Sequence, residues 1–263
     1  MTGPAADPFQ GWVEALAARY LATLTFQEVR RALQALSSLY VERRGRLASG
    51  APLDGAGKRA AFALFYGPMH YLMTRKIAEA LRAADPPPSR IVDLGCGSGA
   101  AGAAWALEGG GHPRVLGIDR SGWAVDEARR TLRALALRGE TVRADLGRAA
   151  LPGRGAGIVA AYTLNELEAP LRERLLDKMI GAARRGARVL VIEPISRKAA
   201  PWWERWAGAF AAAGGRDDEW RFRVPLPDIL ERLDRAAGLD HEALTARSLW
   251  LTVSRAPGRF ARR

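Results

Sequence analysis

Cysteine is almost missing from this 263-residue sequence: Cys96 stands alone, which excludes an intramolecular disulfide and any zinc or iron–sulfur centre built from several thiolates. Histidine is nearly as sparse. His70, His112 and His241 are too scattered to suggest a metal site, so no metal is expected. No stretch approaches the ~18 unbroken apolar residues of a membrane span, and no membrane partner is expected. Residues 1–20 lack the basic start, apolar run and small-residue cleavage site of a secretory signal, which together with the cysteine scarcity points to the cytoplasm. Acidic charge is in deficit: 40 Lys and Arg face 28 Asp and Glu, for a net +12. An excess of this size suits a polyanion such as RNA. Equally, nearly all the basic residues are arginine, they are spread along the chain, and Ala, Gly and Pro abound, as a biased coding composition would produce.

The residues that are present fall into two parts. Residues 1–88 read as a helical section. Apolar residues recur at three- and four-residue steps from Phe9 to Leu24 and again from Val29 to Tyr40, with Thr25 as an N-cap between them. A third helix over 58–83 carries Phe62, Phe65, Tyr66, Met69 and Ile77, and Gly67-Pro68 is expected to kink it. The stiff run Asp85-Pro86-Pro87-Pro88 ends the section. From residue 89 to 263 short apolar runs at 90–94, 114–118, 141–144, 157–162 and 187–193 alternate with helical stretches at 100–107, 123–137 and 170–183. Strands apolar on both faces and separated by helices predict a parallel sheet covered on both sides. A Trp-rich stretch at 197–225 interrupts the alternation. After it come a helix at 228–237, two closing strands at 242–246 and 248–254, and a basic tail at 255–263.

The run Asp93-Leu94-Gly95-Cys96-Gly97-Ser98-Gly99 leaves a strand and enters a helix. Glycines there permit positive φ and a close approach of ligand to backbone, and the helix N-terminus offers free N–H groups to a carboxylate. Dinucleotide enzymes use the same device. Three features favour S-adenosylmethionine (SAM) instead. The glycines are spaced G-x-G-x-G rather than G-x-G-x-x-G. Asp93 precedes them, where a carboxylate opposes a pyrophosphate but suits an ammonium. Asp119 and Asp145 end the next two strands, placed for the ribose hydroxyls and the adenine amino group, with Arg120 beside the first and Leu146 against the ring. Alternatively the two aspartates cap the helices after them. Cys96, inside the turn, reads as a small packing residue.

Taken together, Asp93, Gly95, Gly97, Gly99, Asp119 and Asp145 resemble the class I SAM-dependent methyltransferases in order and spacing over about residues 89–195. The resemblance implies an α/β, Rossmann-like, seven-stranded and mostly parallel sheet, preceded here by an N-terminal helical extension, with SAM as cofactor. In that fold the methyl acceptor meets the cofactor beyond the fourth strand, where this chain has Tyr162-Thr163-Leu164-Asn165-Glu166-Leu167. Asn165 offers the acceptor a hydrogen bond, and Glu166 or Tyr162 is placed to orient it or take its proton. The competing reading makes Asn165 a helix cap with Glu166 and Glu168 in the first turn. A narrower resemblance rests on 36–44, 60–73 (AAFALFYGPMHYLM), Tyr162–Leu167 and Val189-Leu190-Val191-Ile192-Glu193-Pro194. In that order they are similar to the mitochondrial small-ribosomal-subunit methyltransferase-like family and its bacterial members, which implies action on ribosomal RNA or the small subunit. The family's iron–sulfur cysteines are absent, since Glu219–Pro225 has none. Trp202, Trp203 and Trp206 with Arg197, Lys198 and Arg205 could stack bases and hold phosphates, form a lid over a small-molecule acceptor, or bury themselves in the core. Three functions are thus open: an RNA methyltransferase, a small-molecule O-, N- or C-methyltransferase, and a non-catalytic SAM-binding assembly factor.

Overall fold

The computed structural model describes residues 7–42, 53–196 and 200–252. Arg197, Lys198 and the basic tail lie outside the described residues. Five strands run parallel: β1 (Arg90–Leu94), β2 (Arg114–Asp119), β3 (Gly139–Arg143), β4 (Ala156–Ala161) and β5 (Arg188–Glu193). The full sheet has the order β3-β2-β1-β4-β5-β7-β6, in which β6 (Arg216–Phe222) and β7 (Leu244–Thr252) are antiparallel. The order reverses between β1 and β4, and an open α/β sheet leaves its ligand crevice at such a switch point, outside the carboxyl ends of the strands.

Alternation along the strands feeds two cores. Val92, Leu94, Ile158, Ala160, Val189 and Val191 face α7 (Ala169–Arg184) and α8 (Trp203–Ala212). Ile91, Val159, Leu190 and Ile192 join the other core with α5 (Ala100–Glu108) and α6 (Gly122–Ala134). The N-terminal helices complete that same core: Trp12 of α1 (Pro8–Leu21), Leu33 of α2 (Phe26–Glu42), Ala60 of α3 (Ala56–Ala61) and Tyr71 of α4 (Gly67–Ala80) are all in it. Thr25 caps α2 as expected. Its Oγ1 accepts from the Glu28 N–H at 3.3 Å, while Glu28 Oε2 accepts from the Thr25 N–H at 2.7 Å, a reciprocal capping box. Between α3 and α4 the chain winds as a π-helical turn over Phe62–Tyr66. This wide turn, rather than a break, accommodates Pro68. No helix among the described residues is long and apolar enough to cross a membrane.

The closing strands differ from expectation. In place of two strands at 242–246 and 248–254 there is one, β7 (Leu244–Thr252), because Arg247 continues it: the residue is 3% exposed and its guanidinium lies 4.3 Å from the Trp203 ring centroid. Residues 253–254 lie outside the described residues. Its partner β6 comes from the Trp-rich stretch. β6 is an edge strand, so Asp217 and Glu219 stand on its exposed side, and its charge hides it from a search for apolar runs. Of the three readings of 197–225, Trp202, Trp203 and Trp206 follow the one that buries them in the core. Trp202, Trp203, Trp206 and Phe210 are buried in the α7–α8 core, and Arg205 pairs with Glu173.

Candidate functional site

The glycine turn and the end of β4 are fastened together. Gly95 N–H and Cys96 N–H both donate to Ile118 O of β2, at 2.8 and 3.1 Å. Gly95, Gly97 and Gly99 all adopt positive φ. At Gly95 nothing larger fits: a Cβ would lie 2.2 Å from Thr163 Cγ2, and Thr163 Oγ1 donates to Gly95 O at 3.0 Å. Cys96 is buried, and burial together with the Asp93 and Asp119 carboxylates holds its thiol well above the usual range. Its sulfur packs where a Cβ on Gly117 would come within 3.0 Å. The thiol is therefore a packing group and not an activated nucleophile.

A single cavity of about 570 Å3 opens over the switch point and brings together Asp93, Gly95, Gly97, Asp119, Arg120, Asp145, Leu146, Tyr162, Asn165 and Glu166. Gly99 stands one step away, at the N-cap of α5. Asp93 Oδ2 accepts from Gly102 N–H at 2.9 Å, tying α5 to β1, and burial lifts its carboxyl to about 7. A cation brought beside it would restore the charged form. Asp119 accepts from Gly97 N–H at 3.0 Å on one oxygen and from Ser121 N–H at 2.8 Å on the other, which fixes the carboxylate at the cavity edge with a lone pair spare on each oxygen. Asp145 caps its own turn through Gly147 N–H at 2.7 Å and still lines the cavity, so the cap does not withdraw it from the site. This donor and acceptor set fits SAM: a glycine cradle for the backbone contacts, Asp93 for an ammonium, Asp119 for a diol, and Asp145 with Leu146 for an adenine.

Beyond β4 the chain turns sharply. Tyr162 has φ +57 and stacks on His70 of α4, with ring centroids 3.9 Å apart. Phe62 and Tyr66, both on the π turn, continue the wall around His70 at 6.1 and 6.0 Å between ring centroids. Burial lowers the His70 imidazole to about 3 and raises the Tyr162 phenol, so both rings are uncharged near neutrality. Glu166 is lifted to about 7, first by burial and then by the Asp119 charge.

Asn165 is not a helix cap; the residue at the N-cap of α7 is Glu168. Asn165 lies in a short 3-10 turn (Leu164–Glu166), where its amide bridges two buried groups. Asn165 Nδ2 donates to Glu193 Oε2 at 2.6 Å, and Asn165 Oδ1 accepts from Trp202 Nε1 at 3.0 Å. Glu193 ends β5, is fully buried, accepts also from Leu164 N–H at 2.9 Å, and is raised to about 8 by burial against those donors. Glu193, Phe62 and Tyr66 were not among the residues expected at the site. Glu193 entered the sequence reading only as the end of an apolar run and within the resemblance segment Val189–Pro194, with no role attached, and the spacing of Phe62, Phe65 and Tyr66 reads as an ordinary core stripe.

Residues 91–186 match the family model of a methyltransferase domain. That match is to the domain at large and not to the ribosomal family the sequence resembles. Among curated proteins none matches the chain. Several solved structures share the fold at low identity. A protein named as an O-methyltransferase from Nostoc punctiforme PCC 73102 superposes with a TM-score of 0.55 at 15% identity, over 84% of this chain and 72% of its own. The [4+2]-cyclase SpnF gives 0.50 at 20% identity, over 70% and 82%. The methyltransferase domain of bacterial CtHen1 gives 0.50 at 11% identity, over 71% and 100%.

Proposed function

On the premise that this chain carries a class I methyltransferase domain with SAM as its cofactor, we propose that it methylates a small-molecule acceptor bound between the π turn and the segment Tyr162–Glu166. The observation that carries this reading is the continuity of the site. The glycine cradle and its three aspartates share one cavity with an aromatic wall of Phe62, Tyr66, His70 and Tyr162. Concave, largely apolar cavities of some 300–1,000 Å3 are the common form of small-ligand sites. The cofactor supplies an electrophilic methyl group on a sulfonium. Asp119 would hold its ribose hydroxyls, with Arg120 alongside, Asp145 and Leu146 its adenine, and Asp93 with the Gly95–Gly99 turn its amino-acid end. Tyr162 and Glu166 bind and orient the acceptor, and Asn165 fixes the turn that carries them. Methyl transfer needs in-line placement above all, and rigid placement is what this hydrogen-bonded turn provides.

The RNA reading is left with the net charge of +12 and the short segments that resemble the ribosomal family, since the tryptophans that could have stacked bases are buried. Incubation with methyl-labelled SAM and a fractionated cell extract separates the two. Label in the low-molecular-weight fraction is expected. Label confined to RNA, with RNA binding that weakens steeply between low and moderate salt, would overturn the small-molecule reading.

A further inference from the structure

The loop between α9 (Asp228–Ala237) and β7 brings a second imidazole to the cavity. His241 Nδ1 lies 2.5 Å from Asp234 Oδ1, and the His241 backbone N–H donates to the other oxygen, Asp234 Oδ2, at 2.8 Å. Asp234 is 4% exposed on the inner face of α9, whereas His241 lines the cavity. The position is set by register. Arg247 of β7 stands opposite Glu193, the last residue of β5, so Thr245 and His241 lie beyond the carboxyl end of β5. Tyr162 is held at the same end, its N–H donating to Ile192 O at 2.8 Å. His241 lines the cavity next to the π turn, its ring centroid 6.0 Å from that of Phe65, and neither it nor Asp234 takes part in the cofactor cradle or the Glu193 network.

An aspartate on Nδ1 fixes the imidazole's orientation and tautomer and leaves Nε2 as the nitrogen with the lone pair. His70, the other cavity imidazole, is stacked, buried and a poor proton acceptor. We propose that His241, oriented by Asp234, takes the proton of a hydroxyl-bearing aromatic acceptor lying against Phe62 and Tyr66; this rests on the small-molecule reading. The acceptor oxygen keeps the electron pair of its O–H bond and uses it to bond the methyl carbon. The carbon–sulfur bond breaks with its pair on sulfur, leaving a neutral thioether, and the proton ends on His241 Nε2. One positive charge is lost at sulfur and one appears on the imidazolium, facing the Asp234 carboxylate.

The test compares wild type, His241→Gln and Asp234→Asn on two hydroxyarenes, a weakly acidic phenol and a nitrophenol already ionised at the assay pH. Both variants are expected to lose roughly 100-fold or more in turnover on the phenol, to stay within a few-fold of wild type on the nitrophenol, and to bind SAM unchanged by calorimetry. An equal loss on both acceptors, or no loss on either, would overturn the proposal. A readout independent of activity and of the variants is the 15N spectrum of the wild-type imidazole. It is expected to show Nδ1 protonated and Nε2 bare, and the opposite tautomer sinks the dyad. If wild type methylates other small molecules but no hydroxyarene, this inference fails while the function proposed above stands; label in RNA alone removes both.

Discussion

The imidazole of His70 lies flat on the phenol ring of Tyr162, with centroids 3.9 Å apart and planes 14° apart, and so joins the N-terminal helices to the segment after β4. Burial alone lowers His70 to about 3, against about 6.5 in an unfolded chain. For a group whose folded value is depressed, stability is fully present above the unfolded value and is lost as pH falls toward the folded one. Wild type should therefore lose stability relative to His70→Phe, which keeps a stacked ring, as pH falls from about 6.5 to 3. The slope approaches about 1.4 kcal/mol per pH unit. Urea unfolding at a series of pH values reads it, and parallel curves for the two proteins would show that His70 titrates freely.

Glu193 works in the opposite direction. Burial raises it to about 8, above the ordinary 4.5 of a glutamate. A raised folded value gives stability that is complete below about pH 4.5 and lost as pH climbs through 8. Replacement by Gln removes the titration. Whatever constant offset the new amide introduces, the difference between wild type and Glu193→Gln should fall with rising pH across that window. Guanidinium unfolding at pH 5 and pH 8.5 is sufficient, and a difference that stays constant would mean the carboxyl is charged throughout.

Asp119 is the acid proposed for the cofactor's ribose: two backbone N–H groups fix its carboxylate, and it lines the cavity. Hydrogen bonds to a charged group contribute about 1.5–3 kcal/mol each. Asp119→Ala is expected to weaken SAM roughly 10- to 100-fold by calorimetry, with Asp145→Ala losing less because that carboxylate also serves its own turn. Unchanged affinity in Asp119→Ala would move the cofactor elsewhere in the cavity.

Elements that obey a periodic rule were the most legible in the sequence. β1, β2, β4 and β5 stand out as apolar runs, and Asp93, Asp119 and Asp145, at or near the ends of β1, β2 and β3, fall at the switch point because parallel strands all deliver their carboxyl ends to one side. Edges and joints obey no such rule. β6 is written Arg216-Asp217-Asp218-Glu219-Trp220-Arg221-Phe222, and an edge strand with one face in water needs no apolar run. Trp202 and Trp206 carried an aromatic signal without a direction, and only the packing of α8 on β6 and β7 turns them inward. The π turn hides in the same three- and four-residue spacing as an α-helix. His241 and Asp234 are seven residues apart, and they meet because Gly238 reverses the chain in the left-handed region.

Asn165 offers the sharpest test of whether the segment after β4 is shaped by structure or by the acceptor. Both ends of its amide are engaged, with Glu193 Oε2 on one side and Trp202 Nε1 on the other. Asn165→Ala would leave a buried carboxyl oxygen and a buried indole N–H without partners, at about 1–3 kcal/mol for each unsatisfied group. A loss of about 2–6 kcal/mol in unfolding free energy is expected, with SAM affinity within a few-fold of wild type because the cradle is untouched. Trp202→Phe is the control: it removes one donor and should cost about half as much, with the remainder recovered in the coupling between the two substitutions. If Asn165→Ala keeps full stability and instead raises KM for the methyl acceptor, the amide belongs to the acceptor and the bridge to Glu193 is incidental.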